Sequence, residues 1–160
     1  AIGGLAVGEK KNKMLETIEW MDEFLPKEKP RYLMGVGTPI DIIEAVSRGV
    51  DMFDCVIPTR NARNGQLFSF DGKINIRNAK YKSDFSVIDE MDFSPISNIY
   101  TKSYLHHLFK TEEILGYRIA TQHNLNFYIY ILNVMRKKIK TGKFKNWAIE
   151  FIERYNKNSN

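Results

Sequence analysis

The chain has 160 residues, is 43% hydrophobic and 27% charged, and carries a net charge of +5. That is enough for one ordinary globular domain and too apolar for intrinsic disorder. Its longest purely apolar run, Phe127 to Leu132, has six residues where a membrane span needs about twenty. No basic n-region or cleavage pattern opens the chain, so no signal peptide is visible. The single cysteine, Cys55, excludes an internal disulfide and an all-thiolate zinc site. A cytoplasmic location is the default expectation. The charge is uneven: residues 101–160 sum to +7 and residues 1–100 to −2. A basic second half suits a polyanionic partner such as nucleic acid, and it equally suits a solvated helix face.

In chain order, Ile2 to Val7 reads as a short buried strand, and Lys10 to Leu25 as a helix with Met14, Ile18, Met21 and Leu25 on one face. Arg31 to Val36 reads as a second strand. Thr38, Pro39 and Asp41 mark a helix start, with Thr38 as N-cap and proline at the first helical position. Gly49 ends that helix, and Val50 to Ile57 reads as a third strand. Strand, helix, strand, helix, strand with short loops predicts a parallel sheet with helical crossovers, in an open sheet or part of a (β/α)8 barrel. Closing a whole barrel takes about 250 residues.

Gln66 to Ile76 reads as a hairpin with its tight turn at Asp71-Gly72. Residues 78–99 read as an irregular excursion. Helices follow at Thr101 to Phe109, then a long one with Leu125, Tyr128, Leu132, Met135 and Ile139 on one face. A last helix carries Phe144, Trp147, Phe151 and Tyr155, and residues 156–160 read as a frayed end.

Three strand ends carry candidate chemistry, because ligands of parallel α/β folds meet the loops after the strands. The glycine-rich Gly3 to Glu9 lets a planar base approach the backbone, or serves tight packing. Leu33 to Pro39 puts two glycines before a helix N-terminus. That suits an anion, with Met34 able to cover an aromatic base, and it also suits a plain turn. In Phe53 to Gly65, Asp54 is an acid in an apolar strand, costly unless paired or functional. It fits a nucleophile at a glycosidic carbon or an ion pair with Arg60 or Arg63. Cys55 reads as a buried structural thiol.

Together, AIGGLAVGE, RYLMGVGTP and GVDMFDCVIPTRNARNGQLF, with YLHHLFKTEEILGYRIATQHNL downstream, closely resemble the bacterial tRNA-guanine transglycosylase (queuine tRNA-ribosyltransferase) family over nearly the whole chain. The resemblance implies the C-terminal portion of a (β/α)8 TIM barrel: about three strands, an inserted hairpin and former zinc subdomain, and C-terminal helices. Residues 1–77 are then the last three β/α units plus the hairpin, and residues 78–160 the zinc-subdomain remnant and C-terminal helices, as one unit. The chain opens without an initiator methionine, which reads as a piece of a longer protein.

The resemblance implies a pentosyltransferase that exchanges guanine at the tRNA wobble position for a 7-deazaguanine precursor of queuosine, with Asp54 as nucleophile and a covalent RNA intermediate. Gly4 and Leu5 would bind the base, Met34 would cover it, and Glu9 would support that backbone. Gly35, Val36, Gly37, Thr38, Pro39, Ile40 and Asp41, with Thr59, Arg60, Asn61, Ala62 and Arg63, match the segments that hold the anticodon loop. The general acid/base of the family would lie ahead of Ala1, so the chain alone is expected to be inactive. The alternative is a non-catalytic tRNA-binding or partner subunit of the same family.

The family's zinc ligands are three cysteines and a histidine. Here Asp92, Ser94 and Ser97 stand at the cysteine positions and His123 at the histidine. Hydroxyls are poor zinc ligands, so the metal is expected to be lost and no cofactor is expected. Phe93, Ile96 and Ile99 would then bury against the helix near Thr101. Expected partners are the anticodon loop and a guanine or 7-deazaguanine base. The family often dimerises and open barrel edges favour association, so a homodimer is included. No membrane partner is expected.

Overall fold

In the computed structural model, which describes residues 1–91 and 93–157, a helix α1 (Lys11–Phe24) precedes strand β1 (Tyr32–Leu33), helix α2 (Pro39–Val46) and strand β2 (Met52–Phe53). The strands pair in parallel, Tyr32 opposite Met52 and Leu33 opposite Phe53, and Ile2 bridges Leu33 in parallel on the other side. The predicted parallel α/β order is present, but the ladders are shorter than the apolar runs. The Ile2 to Val7 strand is reduced to Ile2, because the glycine-rich stretch after it bends away. Thr38 caps α2 as expected: its Oγ1 accepts from the Asp41 amide at 3.2 Å and also bonds the Asp41 carboxylate. Ile2, Met14, Ile18, Leu33, Val36, Ala45 and Val50 form the core of this unit, Ala1–Ile57.

A second compact unit runs from Pro58 to Asn160. Helix α3 (Ile57–Arg63) begins at the residue where the sequence pattern ends the third strand and fills a stretch for which that pattern predicts no element. Pro58 sits in its first turn, where the missing N–H costs nothing. Only Pro58 and Ala62 of this helix are buried, so it shows no apolar stripe. The hairpin forms from β3 (Gln66–Ser69) and β4 (Gly72–Asn75), antiparallel with Ser69 opposite Gly72. Its loop is Phe70-Asp71 rather than Asp71-Gly72. The Ser69 hydroxyl accepts from the Asp71 amide at 3.2 Å and donates to the Gly72 carbonyl at 2.9 Å, closing the turn with a side chain.

The excursion contains a 3-10 turn (Ala79–Tyr81) and a short helix α4 (Pro95–Ile99). Phe93 packs on α6, 5.3 Å from the His123 ring and 5.8 Å from that of Phe127, and Ile99 is exposed rather than buried. Helices α5 (Lys102–Lys110), α6 (Ile114–Lys140) and α7 (Phe144–Lys157) complete the unit. The last helix continues through Asn156 and Lys157, which corrects the frayed end there; residues 158–160 lie outside those described.

The buried face of α6 is rotated from the predicted one. Tyr128 and Met135 are buried as predicted, but Leu125 and Ile139 face solvent, and Ile119, His123, Asn124, Phe127 and Ile131 are buried. The reason is polar. Asn124 accepts from the Phe68 amide at 3.0 Å and donates to the Pro58 and Gln66 carbonyls at 2.9 and 3.0 Å. His123 Nε2 donates to the Phe68 carbonyl at 2.8 Å. These two side chains satisfy the β3 backbone groups that β4 does not reach, removing an edge that would otherwise be open. Around them Phe68, Phe70, Phe127, Tyr128 and Phe151 make edge-on and stacked contacts at 5.4–6.3 Å.

Candidate active site

Asp54 follows β2 directly, at the carboxyl end of the parallel strands, and is exposed. The Tyr32 hydroxyl donates to its Oδ1 at 2.6 Å, and the Gly35 amide donates to the same oxygen at 2.9 Å. Oδ2 receives neither bond. These hydrogen bonds, Tyr32 first and then Gly35, hold the Asp54 carboxyl below the usual carboxylate range and keep it ionised at neutral pH. The same bond pushes the Tyr32 hydroxyl up. Gly35 can aim its N–H this way because its φ is +75°, and a Cβ there would lie 3.2 Å from that of Ala6.

Gly37 is fixed by contact: an added Cβ would overlap the Sγ and Cβ of Cys55. The Cys55 thiol is half-buried, burial pushes its pKa up, and it donates weakly to the Gly37 carbonyl at 3.7 Å. It packs the turn and is no reactive thiolate.

Beside this turn lies a cleft of about 260 Å³, walled by Leu5, Gly8, Glu9, Gly35, Val36 and Asp41 among others. Glu9 accepts from the Val7 amide at 3.1 Å, holding the glycine-rich loop. Lys11, on the same wall, reaches Asp41 at 3.1 Å and Glu44 at 2.6 Å. Burial alone would lower its pKa, but the bonds and charges of Glu44 and Asp41 outweigh this and raise it. Met34 is 45% exposed, and its Sδ would sit 3.3 Å from a Cβ on Gly3, so only glycine fits there without displacing it. Gly4 is exposed with φ +81°. Val36, Gly37 and Pro39 are buried, and Thr38 and Ile40 half-buried, so this segment offers mainly backbone to a ligand.

Thr59, Arg60, Asn61, Ala62 and Arg63 lie in the second unit on α3. Arg60 and Arg63 are exposed, Ala62 is fully buried, and Asn61 donates to the Gln66 side chain at 2.6 Å. Tyr32 and Lys11 escaped the sequence reading. A tyrosine in a strand counts as one more apolar residue. Only the parallel register, which brings Tyr32 beside Met52, shows that its hydroxyl reaches Asp54.

Ser94, Ser97 and His123, which the resemblance aligns with the family's zinc ligands, are engaged in hydrogen bonds within the fold. Since His123 Nε2 donates to a carbonyl, its Nδ1 is the acceptor, and the Ser97 hydroxyl donates to it at 2.8 Å. Ser94 accepts from Asn126 at 2.7 Å. Ser94, Ser97 and His123 are all fully buried, and Asp92 lies outside the described residues. Two hydroxyls and an imidazole with both nitrogens committed do not fit a zinc ion.

An ionised carboxylate held by a tyrosine and a glycine amide at a parallel strand end, beside a glycine-lined cleft, defines an α/β protein with an oriented, exposed acid at the end of its parallel strands. The family model described as queuine tRNA-ribosyltransferase matches residues 1–157. Proteins named queuine tRNA-ribosyltransferase from Francisella tularensis subsp. mediasiatica and Helicobacter acinonychis are 53% and 54% identical over 155 residues, 97% of this chain and 42% of theirs. The Helicobacter pylori protein of that name is 53% identical over 159 residues, 99% of this chain and 43% of its own. The chain belongs to the queuine tRNA-ribosyltransferase family, and it spans about 42% of the length of these relatives. No helix among the described residues is long and apolar enough to cross a membrane.

Proposed function

We propose that this chain is the C-terminal part of a cytoplasmic tRNA-guanine transglycosylase, and that Asp54 is its nucleophile. In this reading residues 1–57 supply the last three strands of a (β/α)8 barrel. The observation that carries it is the Asp54 carboxylate itself, ionised, exposed, and held through Oδ1 by Tyr32 and Gly35. Those bonds orient the group so that Oδ2 attacks the ribose C1′ of the target nucleotide. The C1′–N9 bond breaks, and guanine departs with the electron pair. It takes a proton from a general acid that the family pattern puts ahead of Ala1. The N9 of an incoming 7-deazaguanine, after losing its proton to the conjugate base of that same general acid, then displaces the carboxylate and restores Asp54. The target nucleotide must leave the loop stack for this attack.

Gly4, Leu5 and Met34 serve the base, with Glu9 steadying the loop, and Gly35–Asp41 and Thr59–Arg63 serve the anticodon loop. No zinc is used: the Ser97–His123–Phe68 chain and the Ser94–Asn126 bond hold the region where the family binds metal. Protein produced from the intact gene, incubated with substrate tRNA, should give a covalent RNA adduct on a denaturing gel. Asp54→Asn should abolish it, and the 160-residue chain alone should incorporate no labelled guanine. An adduct that survives Asp54→Asn refutes the assignment. An intact protein that binds tRNA but forms no adduct supports the non-catalytic subunit instead.

A further inference from the structure

Six cations and no acid fall within ten residues at the α6–α7 turn, Arg136 to Lys145. Arg136, Lys137, Lys140, Lys143 and Lys145 are exposed and Lys138 is half-buried. None of the six is ion-paired among the described residues. Helix electrostatics explains half of them. Lys137, Lys138 and Lys140 sit in the last turn of α6, where positive charge offsets the macrodipole. Lys143 and Lys145 flank the start of α7, the end at which a cation opposes the dipole, and no acid in that first turn compensates. Phe144 and Trp147, half-exposed with ring centroids 6.0 Å apart, are interspersed with these lysines along the chain. Fold stability gives no reason for this arrangement, whereas a polyanionic ligand does.

We infer that the Arg136–Lys145 turn binds the phosphate backbone of the RNA substrate, at a second contact separate from that of α3. This rests on the reading that the protein acts on tRNA. Within the second unit, Arg63 lines an apolar groove along α6 together with Arg118. Lys140 lies twenty-two residues beyond Arg118 on the same helix, about 33 Å at 1.5 Å per residue. At the duplex-DNA spacing of about 3.4 Å per phosphate of one strand, that distance corresponds to about ten phosphates. An RNA loop gripped near Arg63 therefore has a flank long enough to reach the turn. A membrane surface fits less well, because Ala148, Phe151 and Tyr155 of α7 are buried in the core, and the apolar side chains left outward, exposed Ile139 and Ile149 and half-exposed Phe144 and Trp147, are interrupted by lysines.

The test uses protein from the intact gene carrying K137Q, K140Q, K143Q and K145Q, with a K143A/K145A pair as the second variant. The pair removes charge from the unfavourable end of α7, so its melting temperature should hold or rise. Affinity for full-length tRNA should fall at least tenfold in the quadruple variant at low salt. The slope of log K against log salt should become shallower by about two to four. A short anticodon stem-loop should keep its affinity and its adduct yield. An unchanged tRNA affinity and salt slope in either folded variant overturns the inference, as does lost binding to phosphatidylserine vesicles with tRNA binding intact. Failure of the transglycosylase reading shows separately, as absence of the stem-loop adduct in the unsubstituted protein.

Discussion

His123 makes the second unit acid-sensitive. Its imidazole is fully buried, and burial lowers its pKa from 6.5 to about 4, with the Phe68 carbonyl bond working against the shift. The folded protein therefore keeps His123 neutral while the unfolded chain takes up a proton below pH 6.5. Because the folded-state value is the lower one, the unfolded state binds more protons between pH 6.5 and 4. The contribution is complete above pH 6.5 and is lost as the pH falls through that window. A difference of about 2.5 pH units at 1.36 kcal/mol each amounts to about 3.4 kcal/mol in full, of which about 2 kcal/mol is gone by pH 5. Asp89, pushed up by burial, works in the opposite direction near its own titration, so the control must isolate the histidine.

Trp147 reports on this unit, and Trp20→Phe silences the exposed tryptophan of the other. Urea unfolding followed by Trp147 fluorescence should show about 2 kcal/mol less stability at pH 5 than at pH 7.5. His123→Gln keeps a donor for the Phe68 carbonyl but does not titrate, and should flatten the dependence. Equal pH slopes in the two proteins would refute the buried neutral imidazole.

Four further outcomes are expected. Gly37→Ala should destabilise the first unit by about 1–3 kcal/mol through overlap with Cys55; urea midpoints measure this, and adding Cys55→Ala, which removes the Sγ but leaves the Cβ overlapping the new methyl, should restore only part of the loss. Tyr32→Phe removes the main bond that lowers the Asp54 pKa, so a carboxyl-carbon NMR titration should find that pKa raised. Arg60→Ala or Arg63→Ala in the intact protein should weaken tRNA binding by about tenfold, with a smaller loss at high salt if phosphates are the target; filter binding across salt decides. Elemental analysis should find far less than one zinc per chain, and a chelator should leave the melting temperature unchanged. Stoichiometric zinc, with stability lost on chelation, would reject the hydrogen-bonded account of Ser97 and His123.

The sequence and the structure part company where a side chain serves a backbone that is not its own. Apolar runs at Ile2, Leu33 and Val50 made the parallel α/β order legible, and Thr38-Pro39 made the start of α2 legible, because those signals are local. The length of each ladder was not, since pairing depends on a neighbour's register and on where glycines bend the chain. The face of α6 was misread because His123 and Asn124 look like surface residues, yet they complete the hydrogen bonding of β3. Asp54 broke the apolar pattern in the same way and was visible for that reason.

What separates these polar intrusions is saturation. Asn124 uses both amide protons and its carbonyl, and His123 uses both ring nitrogens, all inside the fold. Such residues have no capacity left for a ligand and are structural. Asp54 is exposed and takes its Tyr32 and Gly35 bonds on a single oxygen. An exposed acid oriented by its neighbours is what the proposed nucleophile requires, and the saturated pair marks where folding needed a polar group.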